Sequence, residues 1–506
     1  MAISAKTLNL PSFHLKKGRD HLINDFLAKS GGSDFLARHT DLLDEYFIEC
    51  FENSLIGPRM QFHKKPYAII ALGGYGRQEQ CLHSDIDILL LFEKKVPGEA
   101  EGLIREILYP LWDLGFDVGH ATRSIKECLK LAAGDLDVLT ALLDARFLCG
   151  MSALYARLRE LLFQQLTGSR VKKVVAALIQ NNHERHDYFG DSSYLLEPNL
   201  KEGQGGLRDY HTMLWVARIQ SKITRPRDLE YFGYVSCQEF QLLTKALGFI
   251  WKVRNHLHHL VRRKFDQLYF EYQKSLALSL NFKKNRGQLP VELFLGKLHA
   301  EMEFIKQTNL IFLAEKASYR FLFAEQKKTK KSGRVDGLWV HGKLIGFEST
   351  EYIPDFPDLL LKIFIESARL QLALSWEARR VVKEFAYLVD KRFRNDPENV
   401  KMFEEILKTP AIPFNVLNEM LQTGFLERFI PAIKSIKNRI QYDGYHFFPI
   451  DRHSLRTVKI MKTFADKTIT DPLLTGLYRR LGENKTALLW AALLHDIGKG
   501  QAGGFF

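Results

Sequence analysis

Residues 86–92 read Ile-Asp-Ile-Leu-Leu-Leu-Phe, an apolar run with one acid inside it and a second, Asp85, just ahead of it. An apolar run of this length bounded by turn residues reads as a buried strand, and Tyr-Ala-Ile-Ile-Ala-Leu at 67–72 reads as another. Side chains two apart on a strand share a face, so Asp85 and Asp87 lie side by side. Two carboxylates among Ile86, Ile88, Leu89 and Leu90 are poorly solvated and call for a cation. The first run ends at Gly73-Gly74, and ten residues separate that pair from Asp85. The segment between the runs therefore reads as a glycine turn and a short helix.

Each part of this segment has a chemical use. Glycines let backbone approach a phosphate closely, because no Cβ intervenes. A helix start offers free N–H groups to an anion. Gly73, Gly74 and Ser84 are thus candidates to cradle a nucleotide triphosphate, with Arg77 either assisting them or pairing with Glu79 or another acid. Asp85 and Asp87 form an oxygen-rich site suited to Mg²⁺, which keeps some of its waters and bridges substrate phosphates.

A chain of 506 residues exceeds one compact core and predicts roughly three or four domains. Its 46% hydrophobic and 26% charged residues are those of an ordinary globular protein, and its net charge of +13 favours anionic partners. Five scattered cysteines contain no CxxC pair, which fits a reducing cytosol. The N-terminus has no signal-peptide core, and no apolar run approaches the roughly 20 residues that span a bilayer. The expectation is a soluble cytoplasmic protein without a membrane role. Leu42, Leu43, Tyr46, Phe47 and Phe51 recur at helix spacing ahead of the strands, and a third strand is expected around 116–124. Residues 125–325 read as helical apart from the glycine-rich block 197–209. A basic linker follows at 327–334, containing Lys327, Lys328, Lys330 and Lys331, then a small hairpin at 337–347 and helices from about 356. Arg254, His258, Arg262 and Arg263 lie on or near one helical face, read as solvated or, alternatively, as a surface for an acidic partner.

Gly73-Gly74 followed by Asp85-Ile-Asp87 resembles the signature of the polymerase-beta-like nucleotidyltransferase superfamily. That resemblance implies an α+β fold: a small mixed sheet followed by helical domains. It also implies a third carboxylate, for which Asp117, Asp137 and Asp144 are candidates. A closer resemblance lies outside this turn. Glu-Pro-Asn-Leu-Lys-Glu-Gly-Gln-Gly-Gly-Leu-Arg-Asp at 197–209 is similar to a block of the bacterial bifunctional uridylyltransferase/uridylyl-removing enzymes, and so are 111–120, 140–146, 451–456 and 493–500. The implied reaction is transfer of UMP from UTP to a tyrosine of the PII nitrogen-signalling protein, with Mg²⁺ as cofactor and with hydrolytic removal of UMP as a second activity. The block at 197–209 serves either helix packing or contact with nucleotide or partner, with Lys201 and Arg208 available to phosphates.

His453 with His495-Asp496 resembles the start of an HD-type phosphohydrolase, whose His and Asp ligands hold a second divalent metal that activates water. The family pattern continues beyond this point with further ligands, whereas the sequence runs out at residues 501–506, so uridylyl-removing activity is expected to be weak or absent. The implied organisation is a nucleotidyltransferase domain with N-terminal helices (1–150), a helical associated domain (151–325), linker, hairpin and helices (326–445) and an HD segment (446–506). Two alternatives share the catalytic turn. One is an RNA nucleotidyltransferase of the CCA-adding type, disfavoured by the 197–209 block and by the lack of a basic, aromatic-interleaved surface for nucleic acid. The other is a non-catalytic relative that only binds PII or nucleotide.

Overall fold

The computed structural model describes residues 10–28, 34–59, 64–189, 197–285, 287–324, 332–341, 344–409, 416–442, 449–465 and 472–500. The chain is α+β and divides into two compact units. The first comprises residues 1–193, 197–282 and 301–313, and the second 194–196, 283–300 and 314–506.

The first unit is built on a four-stranded sheet of order β3-β2-β1-β4, with β1 Tyr67–Ala71, β2 Ile86–Phe92, β3 Val118–Ser124 and β4 Arg146–Gly150. β1 runs antiparallel to β2 and β4, and β2 runs parallel to β3. The parallel pair needs a crossover, supplied by helix Ala100–Asp113. Helices α1 (Leu10–Ala28) and α2 (Phe35–Glu52) precede the sheet, and α2 turns Leu43, Tyr46 and Phe47 into a core shared with Ile69, Ile88 and Leu90. The two apolar runs and the third strand thus lie where periodicity placed them. β4 was not anticipated, because five residues between two helices carry no distinguishable period.

Helix α3 (Leu207–Ser221) runs through the middle of the helical part of this unit. Leu207 and every residue from Asp209 to Ala217 are buried, so its polar side chains must find partners inside the protein. Asp209 accepts from His186 (2.7 Å), the Gly205 N–H (2.8 Å) and Asn182 (3.1 Å), and is ion-paired with Arg185. Gly205 has φ +75°, a backbone state that side-chained residues rarely adopt. The glycine block therefore folds around a buried carboxylate, which fixes the start of α3. Helix α4 (Cys237–Val261) lies beyond it.

In the second unit, Ser332–Val335, Leu338–His341 and Leu344–Phe347 form three antiparallel strands, and Ala373–Leu374 adds a short parallel one. The hairpin expected at 337–347 is therefore part of a four-stranded sheet. Residues 332–334, read as linker, are strand; Lys327, Lys328, Lys330 and Lys331 lie outside the described residues. Among the described residues, no helix is long and apolar enough to cross a membrane.

Two tests follow from the buried polar groups. Asp209→Asn leaves buried donors facing a neutral amide, and we expect a loss of about 3–5 kcal/mol in urea unfolding. Burial, aided by nearby cations, holds His39, His211, His256 and His258 each at about 4. An unfolded histidine titrates near about 6.5. Between these values the unfolded chain binds more protons, so stability is retained above the upper value and lost as pH falls toward the lower. Urea midpoints at pH 7.5 and pH 5 should differ by the equivalent of several kcal/mol, and equal midpoints would contradict neutral burial.

Candidate active site

β2 delivers the acid pair. Gly73, Gly74, Arg77, Ser84, Asp85 and Asp87, all singled out in the sequence, line one cavity of about 350 Å³ in the first unit. The space around Asp87 is made by two glycines. Gly119 faces Asp87 in the β2/β3 register, and a Cβ there would lie 2.6 Å from Asp87 Oδ1. Gly73 has φ +53°, and a Cβ on it would lie 3.1 Å from Oδ2.

The two carboxylates are unequally balanced. Asp85 Oδ2 is ion-paired with Lys264, whereas its Oδ1 is buried with no hydrogen-bond partner. Asp87 makes no side-chain ion pair among the described residues. Burial first, and the neighbouring Asp85 next, raise its pKa, while Lys264, Lys201 and Arg77 pull the other way. A carboxylate oxygen without a donor beside a second carboxylate that resists ionisation is an arrangement that a divalent cation relieves. The donor set therefore suits a hard divalent cation.

Arg77 occupies the cavity wall with its donors already engaged. Its Nε donates to Glu79 (2.8 Å), and its NH1 is ion-paired with Asp144. The pairing with Glu79 or another acid that the sequence allowed is thus seen with both Glu79 and Asp144. Burial alone would raise Glu79, but Arg77 and His211 hold it down at about 2. Asp144 also receives Trp215 Nε1 (3.0 Å) and an ion pair from Arg218. Among the candidates for a third carboxylate, Asp137 and Asp144 line the cavity; Asp144 is saturated by three donors and Asp137 is exposed. Asp117 is exposed and is not among the lining residues.

The loop entering β2 is gripped by α4 and α1. Asn255 Oδ1 accepts from the Leu82 N–H (2.9 Å), His258 Nδ1 accepts from the His83 N–H (3.2 Å), and Arg254 donates to Ser84 Oγ (3.2 Å). Arg19 of α1 holds the Leu82 carbonyl (2.9 Å), and Gln80 Nε2 donates to the carbonyls of Ser84 (2.9 Å) and Asp85 (3.2 Å). The reading of Arg254 and His258 as a solvated basic face is corrected here. Both are buried: Arg254 Nε donates to Asp266 (2.6 Å) and His258 lies 3.6 Å from the same carboxylate. Arg262 and Arg263 are exposed. Lys201 and Arg208 of the 197–209 block do line the cavity. Arg208 is pinned to Glu202 (2.8 Å), whereas Lys201 forms no ion pair among the described residues, and its pKa is lowered by burial and then by Arg208 and Arg254. Lys264, Gly119 and Asn255 were missed, and no local pattern in the sequence marks them.

In the second unit, the ligand atoms of His453, His495 and Asp496 lie within 4.8 Å of one another. Asp496 Oδ2 is 3.5 Å from His495 Nε2 and 3.9 Å from His453 Nε2, and Lys499 approaches to 3.0 Å. The three residues named from sequence thus meet as one cluster that could hold a divalent metal.

Residues 173–313 match the GlnD PII-uridylyltransferase family, 339–429 the uridylyltransferase GlnD third domain, 450–506 the HD domain, and 19–118 the nucleotidyltransferase family DUF294. Over 500 residues the chain is 30% identical to the bifunctional uridylyltransferase/uridylyl-removing enzyme of Novosphingobium aromaticivorans, covering 97% of this chain and 54% of that protein. It is 31% identical over 499 residues to the enzyme of that name from Azospirillum brasilense (97% and 53% covered). It is 33% identical over 447 residues to the one from Rhodopseudomonas palustris (86% and 48% covered). The chain spans about half the length of the curated relatives it matches.

The glycine opposite Asp87 can be tested without touching a ligand. Gly119→Ala adds one methyl on an exposed strand position and displaces the Asp87 carboxylate. We expect about tenfold or greater loss of Mn²⁺ affinity, measured by titration, with an unchanged melting temperature.

Proposed function

We propose, from the likeness to bifunctional uridylyltransferase/uridylyl-removing enzymes, that the first unit of this chain transfers UMP from UTP to a tyrosine of a PII signalling protein. The tyrosine oxygen attacks the α-phosphorus, the bond to the β-phosphate breaks, and pyrophosphate leaves. The observation that carries this reading is the single cavity in which Asp85 and Asp87 meet Gly73, Gly74, Lys201 and Lys264.

Asp85 and Asp87 would hold Mg²⁺, which when bound supplies Lewis-acid stabilisation of charge on the phosphoryl oxygens. Gly73 and Gly74 leave their backbone open to the triphosphate, and Ser84 offers a hydroxyl beside them. The ammonium groups of Lys201 and Lys264, which line the same cavity, offset phosphate charge. Arg77, Glu79, Asp144 and His211 are positioning residues, binding the glycine turn to α3 through ion pairs and hydrogen bonds.

His453, His495 and Asp496 would hold a second divalent metal, and the cluster supports a hydrolytic, uridylyl-removing role for the second unit. The CCA-adding reading is not favoured, since the segments that follow the catalytic turn, 173–313 and 339–429, match uridylyltransferase families. Four of the five cysteines are buried as free thiols, consistent with a cytoplasmic setting.

The test is incubation of the chain with PII protein, Mg²⁺ and each labelled nucleoside triphosphate, beside Asp87→Asn. Label should transfer from UTP alone and fall at least about a hundredfold in the variant. Transfer from ATP or CTP would keep nucleotidyl transfer and discard the uridylyl assignment. PII binding without transfer would favour a non-catalytic relative.

A further inference from the structure

Lys264 lies 179 residues from Asp85 in sequence and in direct ionic contact with its Oδ2. A cation held jointly by Asp85 and Asp87 requires an oxygen of Asp85, and an ammonium and a divalent ion on one carboxylate repel each other strongly at contact distance. The lysine therefore occupies charge space that the metal needs.

The mount of this lysine is rigid, whereas its side chain is not confined. α4 ends at Val261, and Arg262 turns the chain with φ +56°. Two residues past Lys264, Asp266 is locked by Arg254 Nε (2.6 Å), and its carbonyl accepts the Leu200 N–H (2.8 Å). Between these anchors the Lys264 side chain is 39% exposed and lines the same cavity as Lys201. A flexible four-carbon stem on a fixed backbone can exchange one anionic partner for another within the cavity.

We propose that Lys264 is a resident counter-cation of the acid pair: it neutralises Asp85 while the metal is absent, yields that oxygen when the metal arrives, and then turns to the phosphates of the incoming nucleotide. Metal and nucleotide are thereby coupled through one side chain. Metal alone must displace the lysine into solvent, whereas metal with nucleotide gives it a new anionic partner. The first half of this inference needs only the acid pair; the second rests on the nucleotidyl-transfer reading.

The experiment uses the full chain, with Mn²⁺ as the metal probe and electron paramagnetic resonance as the readout. Wild type, Lys264→Gln and Lys264→Arg are titrated with Mn²⁺ alone, and then with UTP or ATP at saturating Mn²⁺. Lys264→Gln should bind Mn²⁺ alone about fivefold or more tighter than wild type, and should bind the triphosphate about fivefold or more weaker. Lys264→Arg, which keeps the charge, should stay near wild type in both titrations. A merely structural lysine would lower both affinities or neither. Unchanged or weakened Mn²⁺ binding in Lys264→Gln overturns the proposal. Tighter Mn²⁺ with unchanged triphosphate affinity overturns its phosphate half. If the coupling appears with ATP and not with UTP, the lysine exchange stands and the uridylyl reading falls.

Discussion

Two carboxylates at the start of a buried strand leave a local excess of negative charge that the rest of the first unit is arranged to meet. Strand geometry puts Asp85 and Asp87 on one face, and burial then raises the cost of ionising Asp87. Three kinds of response surround them. Glycines at 73 and 119 keep carbon away from the Asp87 oxygens. Lysines at 201 and 264 bring positive charge from two distant parts of the chain. The backbone of the loop entering β2 is held at Leu82, His83, Ser84 and Asp85 by donors and acceptors from α1, α4 and Gln80. That fixity matters because a metal site loses affinity quickly when its ligands are free to drift.

The second requirement is that the glycine turn be tied to the helical part of the same unit. Arg77 provides the tie. It sits one residue beyond the one-turn helix Gly73–Gly76 and reaches both Glu79 and Asp144. Glu79 then meets His211, and Asp144 meets Trp215 and Arg218, so three successive turns of α3 close the network. Such buried pairs contribute less to net stability than their number suggests, because desolvation offsets most of the attraction. Their effect is geometric: removing one charge of the Arg77, Glu79, Asp144 and Arg218 pairs leaves a buried partner uncompensated, so the turn is held in one arrangement relative to α3.

What the sequence made legible follows from the range over which each signal acts. Gly73-Gly74, Ser84 and Asp85-Ile-Asp87 are close along the chain, and strand period two with an apolar surround was enough to put them at one site. The 197–209 block was legible as an irregular, glycine-dependent loop, but its centre, Asp209, was not, since nothing local shows that an acid in the first turn of a helix will be enclosed by Arg185, His186 and Asn182. Arg254 and His258 were misjudged for a related reason. Their spacing on α4 describes a face, and the face of an isolated helix carries no mark of whether solvent or the Leu82–Ser84 loop covers it. Lys264 and Gly119 could be found only once the strand register and the corner after α4 were known. β4 escaped because a five-residue edge strand is shorter than the window in which a period can be recognised.

The two candidate metal sites differ in the chemistry of their ligands. The first offers only carboxylate oxygens, set among glycines and lysines, and so suits a hard cation that stays partly hydrated and bridges to phosphate. The second combines two imidazoles with one carboxylate, a mixed set that suits cations of the kind that make water nucleophilic. On the reading proposed above, the groups around the first metal position would receive a triphosphate and release pyrophosphate; in the second, Lys499 lies 3.0 Å from Asp496, and water would be the nucleophile. If the chain carries both proposed reactions, transfer and removal of a nucleotidyl group would not compete for one set of ligands. Each site's ligand chemistry selects its own ion and its own nucleophile, and conditions that load one site do not by that fact load the other.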